Sequence, residues 1–285
     1  MTAWQTTLLG AVAGGTIFLG LPLGRVGGLS PRMRAFLSTL SAGILLFIFW
    51  DVVAGASEVI DTSMAQARDG GSFGPLALDV AMLATGLAVG ALGLAWLERE
   101  MRRRRPLAPM AGGSVADAAA TGLDVAELAE QARRAALGLG MLIAVAIGVH
   151  NFSEGLAIGV AARSGEIALA GTLIAGFALH NATEGFGIVG PMAGEAEMPS
   201  WRFLFVMGLI GGGPTFVGAI VGYHVTSPTL ELAFYALAGG ALLYVIGEIW
   251  NGVRKLGHRE LSMWFLFIGV MIGLLTELVV EYGSA

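Results

Sequence analysis

Eight apolar stretches, each long enough to cross a bilayer, run through this chain of 285 residues. They lie at roughly 6–24, 35–60, 75–97, 138–162, 167–190, 203–223, 230–252 and 261–282. An α-helix rises about 1.5 Å per residue, so about 20 apolar residues match the roughly 30 Å of hydrocarbon in a bilayer. The expected fold is an all-α polytopic membrane protein: one transmembrane domain, residues 1–285, with eight helices. Composition agrees. Charged residues make up 13% of the chain, against about 25% in soluble domains, too few to cover a soluble surface. Cysteine is absent, which excludes a disulfide scaffold and a thiolate metal site. The net charge of -5 is mild and no basic stripe offers itself to nucleic acid. The first stretch has no basic residues before it and no obvious cleavage site, so it is expected to be a mature helix rather than a signal peptide.

Basic residues set the expected orientation. Arg25, Arg32, Arg34, Arg99, Arg102, Arg103, Arg104, Arg105, Arg133, Arg134, Arg202, Arg254, Lys255 and Arg259 fall on one set of loops, 14 of the 16 Lys and Arg. Only Arg68 and Arg163 fall on the other set. With eight spans the heavy side is cytoplasmic and both termini are extracytoplasmic. The long cytoplasmic loop, 98–137, opens on the arginine run and Pro106, then turns rich in Ala, Gly and Asp. The run reads as a topology anchor in contact with anionic lipid. Residues 124–136 are expected to start a helix leading into span four, with Asp124 as its cap.

No Lys or Arg lies within a span; every ionisable group there is an acid or a histidine. The set is Asp51, Glu58, Asp79, His150, Glu154, His180, Glu184, Glu231, Glu248, Glu277 and Glu281. Ionisable groups at membrane depth are costly and mark pathways. Acids without basic partners need protons or cations, which argues for cation handling. Asp51 and Glu277 fall in the outer half, the two histidines near the midplane, and Glu248 near the cytoplasmic end. Glu58, Asp79, Glu231 and Glu281 read as interfacial residues near helix ends.

The sharpest motif is a repeated hexad, His150-Asn151-Phe152-Ser153-Glu154-Gly155 and His180-Asn181-Ala182-Thr183-Glu184-Gly185. The copies sit on consecutive, antiparallel helices, which fits an inverted-topology repeat with its site at the midplane. His and Glu at i and i+4 share a helix face, and two packed helices can aim both pairs at one point. Two imidazoles and two carboxylates suit Zn(II); Fe(II), Mn(II), Co(II) and Ni(II) accept the same donors. The two carboxylates neutralise a divalent ion. Asn151 and Asn181 can add carbonyl oxygens, and Gly155 and Gly185 permit close helix contact.

With these features the sequence resembles the ZIP (Zrt-, Irt-like protein) family of metal transporters, closest to its prokaryotic, GufA-like branch. The resemblance spans the eight-helix plan, the outside termini, the long loop between spans three and four, and the paired hexads. It also takes in Ala42-Gly43 and the stretch Ala238 to Tyr244 leading to Glu248. It implies metal binding by His150, Asn151, Glu154, His180, Asn181 and Glu184, and an elevator-type movement of a bundle carrying them. It also implies an integral protein of a prokaryotic cytoplasmic membrane. Two departures stand out. Ser153 and Thr183 replace a proline often found before the motif Glu, and their hydroxyls can bond back along the helix. Gly213, before Pro214, replaces a span-six Glu that completes a second metal site in many relatives.

The sequence therefore predicts a carrier moving divalent transition-metal ions, zinc first and cadmium among the others, into the cytoplasm. Asp51 and Glu277 serve entry and Glu248 exit. The metal is cargo; no cofactor is expected, and no enzymatic activity. An intramembrane metal-dependent hydrolase and a non-transporting metal sensor are the alternatives. Against the first, no HExxH is present; against the second, no sizeable soluble domain is. Gly10/Gly14, Gly86/Gly90, Gly155/Gly159 and Gly269/Gly273 have GxxxG spacing, which serves either a homodimer or close packing within the chain.

Overall fold

A computed structural model describes residues 1–27, 29–104, 125–165, 167–192, 198–225, 227–254 and 259–284. Among them there is no strand. The helices are α1 (Ala3–Gly15), α2 (Ile17–Gly20, continued by a 3-10 turn, Leu21–Arg25), α3 (Pro31–Arg68) and α4 (Gly74–Arg104). They continue as α5 (Val125–Ser164), α6 (Ile167–Val189), α7 (Trp201–His224), α8 (Pro228–Arg254) and α9 (Arg259–Ser284). Among the described residues, seven segments are long and apolar enough to cross a membrane, the first running through α1 and α2 to Arg25. The remaining expected span corresponds to α6, whose 23 residues reach about 34 Å. The chain is built as an integral membrane protein.

Three helices outrun the apolar stretches that announced them. α3 continues to Arg68, two turns past the expected end, and the Ser63 hydroxyl donates to the Asp79 carboxylate of α4 there. α4 runs on to Arg104, and α5 begins at Val125, inside the expected loop 98–137. The polar start of α5 is tied by Glu130, which accepts from Arg133 at 2.7 Å and Arg134 at 2.6 Å. The Asp124 cap, Pro106, Arg105 and Lys255 lie outside the described residues, as does the side chain of Glu281.

The first span departs from expectation in a way that matters. It is not one helix over 6–24 but breaks at Thr16. The Thr16 hydroxyl takes the Ala13 carbonyl at 2.7 Å, a bond three residues back that competes with helix continuation. Two glycines precede it, and Pro22 favours the 3-10 turn that follows. Interrupted backbone at membrane depth is tolerated only where protein satisfies it, and here the protein does.

Glycines decide how the helices pair. α5 and α7 form the most extensive contact. A Cβ at Gly155 would overlap the Thr215 carbonyl, and one at Gly159 would overlap the Tyr223 amide. Gly10 and Gly14 of α1 press on Ala219 and Gly212 of α7. Gly86 and Gly90 of α4 meet Ala236 and Leu237 of α8, and Gly269 and Gly273 of α9 meet Leu40 and Phe47 of α3. All four GxxxG pairs are thus used within the chain. Two groups emerge. One is α1, α2, α5, α6 and α7; the other is α3, α4, α8 and α9. They meet mainly where α5 packs on α8 and where α6 packs on α9 and α3. One apolar core, including Ile48, Ile143, Ile147, Ile188 and Leu242, runs across both.

Candidate metal centre

Both hexads lie in the C-terminal halves of their helices, their histidines each 15 residues from Gly165, where the helices turn back on each other and φ of +85° suits glycine. The turn puts the His150 and His180 rings 5.9 Å apart between centroids. His150, Asn151, Glu154, His180, Asn181 and Glu184 are all buried, Glu154 least so at 5% exposed. The i,i+4 spacing has the predicted result. Glu154 Oε1 is 3.5 Å from His150 Nε2, and Glu184 Oε1 is 3.7 Å from His180 Nε2. Glu184 Oε1 is also 3.6 Å from His150 Nε2, so it stands between both imidazoles.

These separations fit a metal. A tetrahedral ion with bonds of about 2.0–2.2 Å holds its donor atoms about 3.3–3.6 Å apart. The donor atoms of His150, His180 and Glu184 all lie within 4.8 Å of one another. Glu154 joins them only through His150, so the four-ligand set expected from sequence divides into three convergent donors and one at the edge. The cluster is also short of partners. His150 Nδ1 and Nε2, His180 Nε2, Glu184 Oε1, Glu154 Oε2 and Asn151 Oδ1 are buried without a hydrogen bond. Each such group costs about 1–3 kcal/mol, and interiors leave few of them.

The asparagines act differently from the ligand pair expected. The Asn151 amide nitrogen is 2.8 Å from Asn181 Oδ1, 2.9 Å from Glu184 Oε2 and 3.1 Å from the Gly211 carbonyl. It thus holds Glu184 in place and ties α5 to α7. Asn181 turns away from the histidines, donating at 3.1 Å to the Ala13 carbonyl at the break in the first span. Its oxygen is occupied by Asn151, while the Asn151 oxygen stays buried and open to a ligand. Of the two hydroxyls expected to bond back, Thr183 does so, to the His180 carbonyl at 2.7 Å; Ser153 does not.

Pro214 removes one hydrogen bond from the middle of α7, next to the Gly211 carbonyl that Asn151 uses. Gly213 faces elsewhere. Gly211 and Gly218 meet neighbouring chain, but a Cβ at Gly213 would meet nothing within 4 Å. Helical spacing puts Gly213 on the side of exposed Leu209 and Val217. The position therefore lies off the His–Glu cluster.

The two acids expected to serve entry approach from the other group of helices. Asp51 on α3 and Glu277 on α9 are half-buried, and their charges bear on Glu154. Tyr235 of α8, which sequence reasoning missed, packs its ring 2.9 Å from where a Gly55 Cβ would be. It feels the charges of Asp51, Glu231, Glu58 and Glu154. The signal for it was a phenol four residues after Glu231, on the same helix face. Glu58 is exposed and Glu231 half-buried. Glu248 lies toward the opposite end of α8, one turn beyond Tyr244, whose hydroxyl donates to Glu98 of α4.

No protein-family model matches this chain, and no curated protein matches it.

Proposed function

We propose that this protein carries divalent transition-metal ions, Zn(II) first, across a membrane into the cytoplasm through the His150–His180–Glu184 cluster. The observation that supports the reading most is a buried set of nitrogen and oxygen donors at tetrahedral separations, with several of those atoms lacking any partner. The absence of Lys and Arg from the spans favours a cation as cargo. Glu154 supplies a fourth donor by a small rotation about its side chain, and the Asn151 oxygen a fifth. Asp51 and Glu277 collect ions on the outer side; Glu248 receives them at the inner end. The resemblance to ZIP transporters, with termini outside and inverted-repeat organisation in a prokaryotic cytoplasmic membrane, belongs to this reading.

An elevator-type movement is part of the proposal. The histidines and glutamates all sit in the group welded by glycine contacts, α1, α2, α5, α6 and α7. Such a group moves as one body against α3, α4, α8 and α9 and carries the ion with it. The metal is cargo, and no catalytic step is needed.

The test is zinc uptake by proteoliposomes. Wild-type protein is expected to take up Zn(II), and Glu184→Ala to abolish it; equal uptake by the two would overturn the reading. The same vesicles separate a carrier from a metal-dependent hydrolase or a sensor, neither of which moves ions.

A further inference from the structure

We propose a second cation site one helical turn outside the His–Glu cluster, where Asp51, Glu154 and Glu277 hold a divalent ion that still carries its water shell. The proposal rests on the transport reading above and adds a waiting position to it.

Depth comes from helix contacts. The Phe47 ring packs against Gly273 and its centroid is 6.4 Å from that of His180. The His150 ring is 5.9 Å from His180. Phe47 on α3, Gly273 on α9 and His150 on α5 therefore gather around His180 within about one helical turn of one another. The three helices also run the same way. α3 and α9 pack in parallel, Gly43 on Gly269 and Phe47 on Gly273. α3 and α5 both run antiparallel to α6, the first with Ser41 at Gly190, the second with Gly140 at Met192. Four residues onward, about 6 Å along each axis, stand Asp51, Glu277 and Glu154. Being at i+4, each keeps the face of the residue it follows.

The three acids thus arrive within about one helical turn of one another, from three helices and two packing groups. Buried oxygens without partners mark the place. Glu154 is 5% exposed and Ser153 2% exposed. Glu154 Oε2 and the Ser153 hydroxyl both lack a hydrogen bond. Glu154 Oε1 already faces His150, so the second oxygen is the one turned to a further ligand. Among the described residues, only His150, His180 and Glu184 have donor atoms close enough to grip a bare ion. The wider spacing of the outer acids suits an ion bound through its own waters. Two of the three carboxylates already balance a divalent charge, without stripping those waters. Dehydration then takes place at the next step inward, where imidazole nitrogens replace water. Glu154 belongs to both positions and hands the ion on.

Equilibrium dialysis of Zn(II) against the full chain in detergent, at neutral pH and low salt, tests this. Wild type is expected to hold two ions. The double variant Asp51→Asn/Glu277→Gln is expected to hold one, and its uptake at low zinc to fall about tenfold through lost electrostatic focusing. His180→Ala is expected to keep the outer ion. Raised ionic strength is expected to remove the outer ion first, because a hydrated ion is more open to screening. One ion in wild type, or two in the double variant, overturns the outer site and leaves the central reading standing. No ion in wild type overturns both.

Discussion

The two hexads have the same four defining residues, yet the fold gives them different work. Glu184, in the second copy, is fully buried and stands between both histidines, with its other oxygen held by Asn151. Glu154, in the first copy, reaches only His150 and keeps an oxygen unpartnered. The first asparagine braces the cluster; the second closes the broken first span. A repeat in sequence therefore specifies a shared pair of chemistries without making the two halves of the site equal. Under the transport proposal, the inequality suits a site that releases its ion. One carboxylate is fixed by packing and hydrogen bonding, while the other borders Asp51 and Glu277.

The contrast breaks first at the glutamates. Glu184→Gln is expected to lower zinc uptake in vesicles at least about 100-fold, beyond the roughly 10–100-fold typical of changes to groups that only orient metal ligands, and Glu154→Gln nearer about tenfold, within it. Equal losses would mean that the two carboxylates are interchangeable. The asparagines come next, read as thermal unfolding in detergent. Asn151→Ala is expected to destabilise by about 2–3 kcal/mol, because it strands a buried carboxylate oxygen, an amide oxygen and a carbonyl. Asn181→Ala, which removes one of the donors to the Ala13 carbonyl and one of the three acceptors of the Asn151 amide but strands neither, is expected to cost about 1 kcal/mol.

Glycines sharpen the comparison at smaller scale. Gly155→Ala, which drives a methyl into α7, is expected to cost about 1–3 kcal/mol. Gly213→Ala meets open space and is expected to be neutral or to stabilise by up to about 1 kcal/mol through helix propensity. A large loss at Gly213 would place that position against a neighbour and return it to the site.

Much of this was legible without coordinates, because the deciding physics is local. Apolar length sets the spans. The i,i+4 spacing of His and Glu fixes which side chains share a face, and it placed His150, Glu154, His180 and Glu184 together. What escaped depended on neighbours. The break at Thr16 is written only faintly, as Gly14, Gly15 and a threonine in an otherwise unbroken apolar stretch. There the Ala13 carbonyl accepts from Thr16 and also from Asn181, 168 residues away along the chain. Tyr235 carries no mark in the sequence beyond its spacing from Glu231; its place is set by Gly55 of α3, which lies beneath its ring. Gly213 looked like a vacancy in the site until the faces of α7 were assigned.

By itself, then, the sequence determined that the chain enters a membrane and keeps only acids and histidines there. It also determined that two His–Glu pairs face one another, since hydrocarbon thickness and helical pitch leave little choice. Tertiary structure alone decided which carboxylate became central, that the asparagines brace rather than mirror each other, and where the outer acids stand. Those outcomes turn on interhelical contacts of a few ångströms, and such contacts are set by where glycines let backbones meet.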